Sequence, residues 1–488
     1  MIHISVDASV LEALHKAFPS PAHRAKRILD KYVANLELLI NLSVARGRSL
    51  LALRYDAYDI SLKKVGDKGG QIGSTGLRTH TWLKDNNIVL FKNVREANNL
   101  TGVIGALKFT NLVTVHNSKS LAYLRTLATD QLDTFLNSLT EEDRIICEAT
   151  HAEIHQLSKP DLDKQYDITP VHIESVKNYI KYIVSNPTSV KKLKQLAHYE
   201  QAETILRIAQ TNNGIWYQKK KDSLFGRTYY EGLSVQNIEK ALRNKILGDC
   251  YEYDIKSSMV GWKMGFSQEW YDSKKRTNSF DNEFAAMIIY LEHKEDFFNL
   301  VLNATFNDQS RLSPENQVLK IKEAMTALGF GAKLTTGSWF DDQGVEQHSS
   351  INKIIVDPLE RVRFMNHTLV KDLCAEQSKL SEYIFKKVQA TYPWLNQLPE
   401  LKKGRNQKLN LSKTIAWLYQ HAETIMMDMV RAEVKTLGKT LIASIHDAIV
   451  IREQLTDSER QAIEVKVRQR TAISYFRLGE TELKVFTL

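Results

Sequence analysis

Two aspartates in this chain stand where an acid needs a reason. Asp254 ends the aromatic run CYEYD and is followed at once by the small polar stretch IKSS. Asp447 lies with His446 in the middle of LIASIHDAIVIRE (441–453), whose other residues are almost all apolar or small. A buried carboxylate without a partner is costly, so positive charge must compensate it. If LIASI and AIVI are two strands of a hairpin, His446 and Asp447 form the tight turn, which lifts the carboxylate out of the core. Cations shared between Asp447 and Asp254 then supply the missing charge. An acid at a strand end can hold a divalent ion while a neighbouring backbone carbonyl, here that of Ile255, assists; hard oxygen donors suit Mg2+, with Mn2+ as a substitute. A third segment, SPENQVLKIKEAMTALGFGAKL (313–334), reads as a helix capped by Ser313 with Pro314 in its first turn. Lys322 and Phe330 fall on one face of it, where an ammonium and a ring can hold a triphosphate and its base. Two carboxylates and this lysine are the minimum for two-metal phosphoryl transfer, in which positioning and charge neutralisation do most of the work.

In their order along the chain these segments resemble the superfamily of family A DNA polymerases and single-subunit RNA polymerases. GRTYYEGLSVQNI (226–238) looks like the family's segment that touches template and primer; YDIKSSM stands at motif A and KEAMTALGFG (322–331) has the motif B spacing. LNLSKTIAWLYQHAETIMM resembles the palm helix with its glutamine, Gln420, and IHDAIVIRE closes the set as motif C. Each motif alone is weak, and collinearity is what carries the resemblance. It implies that Asp254, Asp447 and the Ile255 carbonyl bind metal and that Lys322 acts on the triphosphate. It also implies that Phe330 stacks on the incoming base, that Arg227 and Gln236 touch the nucleic-acid backbone, and that Gln420 and His446 lie at the primer end.

Four positions depart from the family. Met259 replaces the glutamate that crowds a ribose 2′ hydroxyl, placing a bulky apolar group at the sugar. Val318 replaces the motif B arginine, which shifts triphosphate binding toward Lys320, Lys333 or Arg311. Phe330 replaces a tyrosine, and Ala448 the glutamate of motif C.

The elements that must position these groups suggest an α+β, right-hand polymerase architecture, with helical thumb and fingers, an antiparallel β palm, and an N-terminal mixed α/β accessory domain. The expected boundaries are 1–150 for the accessory domain, 151–225 for the thumb-like helices, and 226–275 for the first part of the palm. Fingers follow at 276–400 and the rest of the palm at 401–488. The first 45 residues carry helical spacing. Strands are expected over 49–60 and 77–91, with the glycine-rich GDKGGQIGSTG (66–76) between them as a mobile hairpin tip that fits no phosphate-loop pattern. Residues 138–210 read as helical, and Pro187 and Thr188 open a helix whose face carries Lys191, Lys192 and Lys194, a candidate grip on duplex phosphates. In HAEIH (151–155) Ala152 occupies the place a zinc protease gives to glutamate, which argues against a zinc site.

The chain has 488 residues and a formal net charge of +9, with a pI near 9.1. The excess is spread along the chain rather than held in a tail, which favours a polyanionic partner. Three scattered cysteines offer neither a disulfide framework nor a zinc finger. No secretory signal or long apolar run is present, so the expectation is a cytoplasmic protein without a membrane span. The combined expectation is a template-directed nucleotidyltransferase, a DNA polymerase without proofreading, of the kind a plasmid or phage replicase would be. Its partners are primer-template nucleic acid and nucleoside triphosphates. An RNA polymerase or primase is the first alternative, and an inactive polymerase-like replication initiator or defence protein the second.

Overall fold

The structure is a computed structural model that describes residues 2–19, 24–45, 57–72, 76–95, 105–117, 119–187, 192–221, 223, 226–272, 279–340, 346–403 and 408–488. The chain divides into two compact units: residues 1–221, 229–250 and 482–488 form one, and residues 222–228 and 251–481 the other.

In the first unit, the strand Ile2–Val6 pairs antiparallel with Val113–Asn117. The helix Ala25–Ala45 buries Leu29, Tyr32, Leu36 and Ile40 along one face, as their spacing predicts. The region expected to be two strands about a mobile tip is different. Ser61 caps a helix at Leu62–Lys68 and a second helix spans Thr79–Asp85; among the described residues of this region the named strands are Ala57–Asp59 and Phe91–Arg95. Thr79, Trp82 and Leu83 are all buried, a spacing of three and four that only a helix can satisfy. Residues 73–75 of the glycine-rich stretch lie outside the described residues, as do 49–56.

The expected helical region also contains a strand, Tyr166–Pro170, which pairs with Ile215–Lys221. His151 ends the helix Glu141–His151 and His155 sits in a separate turn of 3-10 helix, so the two histidines share no helical face. Helices Ile173–Ser185 and Lys192–Thr211 complete the helical layer of this unit.

The second unit is built on a four-stranded sheet ordered 441–445, 448–451, 250–255, 478–483. Its core gathers Tyr253, Trp262, Tyr419, Met427, Ile449 and Phe476 with the apolar faces of the surrounding helices. Among those helices are Ser258–Asp272, Lys294–Thr305, Pro314–Gly329, Thr368–Thr391 and the long Leu411–Thr436. The whole is a mixed α+β protein. Among the described residues no helix is long and apolar enough to cross a membrane.

Candidate active site

The sheet brings the two aspartates to one end. Ile445 pairs with Ala448, which leaves His446 and Asp447 as a two-residue turn. His446 adopts φ 45°, the left-handed conformation such short hairpin turns require. On the next strand Asp254 faces Ala448, and the Ile255 amide donates to the Asp447 carbonyl at 3.0 Å. Asp254 is exposed at the strand's end, and the chain then turns through Ser257, φ 50°, into the helix that starts at Ser258. Tyr253 anchors this strand from the buried side: its hydroxyl donates to Glu480 at 3.0 Å and accepts the Leu455 amide at 2.8 Å.

Glycine on the outer strand makes room for the first acid. A Cβ at position 479 would collide with Asp254 Oδ1, so any side chain there fills the space the carboxylate occupies. Beside this point an open cleft of about 670 Å³ is lined by Asp254, Lys256, Ser257, Lys294 and Arg477, among others.

The second acid sits in a more enclosed field. Burial, then the charge of Glu423, push the Asp447 carboxyl up to about 6; Asp254 adds to the rise and Arg227 opposes it. Glu423 is 0% exposed and takes Arg227 in a two-pronged ion pair, Nε to Oε1 at 2.7 Å and the second nitrogen to Oε2 at 2.6 Å. Such forked pairs fix orientation as well as charge. The segment bearing Arg227 is pressed onto the long helix: Gly226 has φ 80°, a Cβ on it would meet the His421 ring, and its carbonyl accepts from Thr424 at 3.2 Å.

Helix Pro314–Gly329 carries the next pair. Ser313 caps it and Pro314 opens it, as the sequence suggests. Lys322 is exposed, and Phe330, at the C-cap, is 54% exposed with its ring edge-on to Tyr419 at 6.1 Å. Tyr419 in turn donates to Ser258 at 2.7 Å, which ties the long helix to the turn after Asp254. Lys320 pairs with Glu323 at 2.8 Å one helical turn away.

The remaining expected site residues are placed as follows. Met259 is 5% exposed and belongs to the core, facing away from solvent. Gln420 lies on the long helix, and its side-chain oxygen has no hydrogen-bond partner among the described residues. Gln236, Lys192 and Lys194 belong to the other unit, the two lysines in the first turn of Lys192–Thr211, and Lys191 lies outside the described residues.

Sequence reasoning missed Glu423, Lys294, Lys256 and Gly479. Only Gly479 left a signal, because a glycine inside a strand marks a close approach.

The donor set fits a divalent cation. Two carboxylates at adjacent register positions, with a glycine cradle beside one, are hard oxygen donors of the kind such an ion takes. Among the described residues no group of three or more His, Cys, Asp or Glu side chains forms a larger metal cluster.

No family model matches the chain, and no curated protein does. Among solved structures, the chain is similar to the POL domain of Pol1 from M. smegmatis, in complex with DNA primer-template and dNTP. The identity is 11%, over 76% of this chain and 81% of that one, with a TM-score of 0.41. A likeness of this size carries no weight for chemistry, which rests on the side chains above.

Proposed function

We propose that the chain is a template-directed nucleotidyltransferase that extends the 3′ end of a nucleic acid, with DNA as its product. One observation carries the reading: Asp254, opposite Ala448, stands one register step from Asp447 at the end of a single sheet. That two acids remote in sequence lie this near each other along one sheet supports metal-assisted phosphoryl transfer.

In this reading Asp254, Asp447 and the Ile255 carbonyl hold Mg2+, or Mn2+ in its place, which when bound activates the attacking hydroxyl and neutralises the leaving group. Lys322 binds the triphosphate and Phe330 offers its exposed face to the base. Lys320, already paired with Glu323, has a lesser part. Met259 acts from within, backing the turn that follows Asp254. Gln420, with a free acceptor, and His446 meet the primer end. Arg227, engaged by Glu423, holds the neighbourhood of Asp447 in register; Gln236, Lys192 and Lys194, on the first unit, and Lys191, outside the described residues, are assigned to nucleic-acid backbone. The domain scheme goes with this: palm at 226–275 and 401–488, fingers at 276–400, thumb at 151–225 and an accessory region at 1–150.

The test is extension of a primed template with deoxy- and ribonucleotides supplied separately in Mg2+. Wild-type protein should incorporate deoxynucleotides, and Asp254→Asn or Asp447→Asn should lose at least about a hundredfold in rate. Full extension by either variant sinks the assignment, and preference for ribonucleotides overturns the choice of product.

A further inference from the structure

A row of aromatic side chains on the second unit runs from solvent to the segment that bears Arg227. On the long helix Leu411–Thr436, positions 413, 417 and 421 recur at every fourth residue, so Lys413, Trp417 and His421 form one stripe. The Trp417 ring lies 4.1 Å from that of His421, and Trp394, on the 3-10 turn Pro393–Gln397, packs edge-on to Trp417 at 6.0 Å. Leu395, fully buried, anchors that turn, which leaves Trp394 49% exposed and Tyr392 40% exposed. At its inner end the row meets Gly226, where a Cβ would collide with the His421 ring.

The chain that supplies this row is basic. Residues 383–421 contain seven lysines and arginines and a single carboxylate, Glu400. Lys402 and Lys408 belong to the two short strands of a hairpin, Lys402–Lys403 and Lys408–Leu409. Lys413 donates to the Lys402 carbonyl at 2.9 Å, which holds the hairpin against the start of the long helix. A ligand that answers both features must offer flat apolar faces and regularly spaced negative charge. Duplex nucleic acid has the charge but hides its base faces in the stack. An unpaired strand presents base and phosphate in alternation, and aromatic rings beside a basic groove are the platform such strands take.

We propose that Trp394, Trp417 and the lysines beside them form a stacking platform for an unpaired strand of nucleic acid, apart from the two aspartates. This goes beyond the proposed function, because binding here requires neither metal nor nucleotide. Trp394 takes a base on its exposed face, and Tyr392, two residues earlier, offers a second ring. Lys402, Lys408 and Lys413 answer the phosphates. The stripe from Lys413 to His421 covers about 12 Å of helix and leads the strand toward Arg227. Because Trp394 is already packed against Trp417, little freedom is lost when a base stacks on it.

Fluorescence anisotropy on the full chain tests it, with a labelled oligodeoxythymidine and a blunt duplex of equal length as probes. Trp394→Ala should bind the single strand about tenfold more weakly than wild type, the worth of one stacked base, with duplex affinity unchanged. Trp394→Phe should recover most of the loss. Lys408→Gln should make the logarithmic salt slope shallower by about 0.7, one phosphate contact on a single strand. Equal single-strand affinities for wild type and Trp394→Ala, an equal loss on the duplex, or an unchanged slope in Lys408→Gln overturns the platform. So does self-association that Trp394→Ala abolishes while strand binding persists, which would make this face an interface between copies. Primer extension separates the two readings. A protein that binds the single strand through Trp394 but extends no primer keeps the platform and loses the polymerase; extension together with strand binding indifferent to Trp394 does the reverse.

Discussion

At the scale of single residues, the site stores its demand for a counter-charge in Asp447. Its carboxyl is pushed up to about 6 from a usual 3.8 by burial and by Glu423. For an acid whose folded value is raised, stability is lost as pH climbs from the unfolded value through the folded one, here between 3.8 and about 6. Above that window the penalty is constant. Asp447→Asn should therefore unfold at higher urea than wild type at pH 7, by about 1–2 kcal/mol once the carboxyl's partial exposure is allowed for. The two proteins should converge at pH 3.5, and the more stable variant should be the inactive one. A lower urea midpoint for the variant at pH 7 would show that Arg227 already compensates the charge in full.

At the scale of elements, one buried lysine links three helices. Lys263, on helix Ser258–Asp272, is 3% exposed and donates to the Gly329 carbonyl at 3.1 Å and to Gln377 Oε1 at 3.3 Å. It thus ties the C-terminal end of helix Pro314–Gly329, next to Phe330, to helix Thr368–Thr391. Burial pulls its proton affinity down from 10.5 to about 8, against a small opposing pull from Cys374. Between those values the unfolded chain holds the proton and the folded chain does not, so this group makes stability rise with pH from about 8 to 10.5. Cys374, raised to about 11, titrates the other way. The informative quantity is therefore the difference between wild type and Lys263→Met, which should grow in favour of wild type across that window in chemical denaturation. A constant difference would mean that Lys263 keeps its proton in the folded chain across that window, as the unfolded chain does.

Elements also separate what was legible in the sequence from what was not. The hairpin around His446 and Asp447, the strand that delivers Asp254 and the capped helix before Phe330 all follow from neighbours in the chain: alternating apolar residues, a short turn, Ser before Pro. Helix Thr79–Asp85 carries few apolar residues, so its sequence resembles a strand, and its period becomes clear only with Trp82 and Leu83 buried together. Glu423 and Lys294 were invisible for a different reason. Each acquires its meaning from a partner far away in sequence, Arg227 for Glu423 and Ser257 for Lys294, and no local pattern marks a residue whose role is set by tertiary contact.

For the molecule as a whole, the surplus of +9 charges is the property most exposed to the medium. If nucleic acid is the partner, binding to a primer-template should weaken steeply with salt. The logarithm of affinity should fall linearly against the logarithm of salt concentration with a slope of about −4 or steeper, reflecting counterions released from phosphates. Fluorescence anisotropy with a labelled duplex measures this, and a slope near zero would remove the electrostatic argument for such a partner.

The turn between Ile445 and Ala448 has a last implication. Two residues are the shortest link that still closes a hairpin in this register, so the loop is a spacer of fixed gauge as well as a carrier of the acid. One added residue would swing the carboxylate to the opposite side of the ribbon while leaving every strand intact. Drift among related chains should therefore touch the identity of the neighbours of Asp447 long before it touches their number.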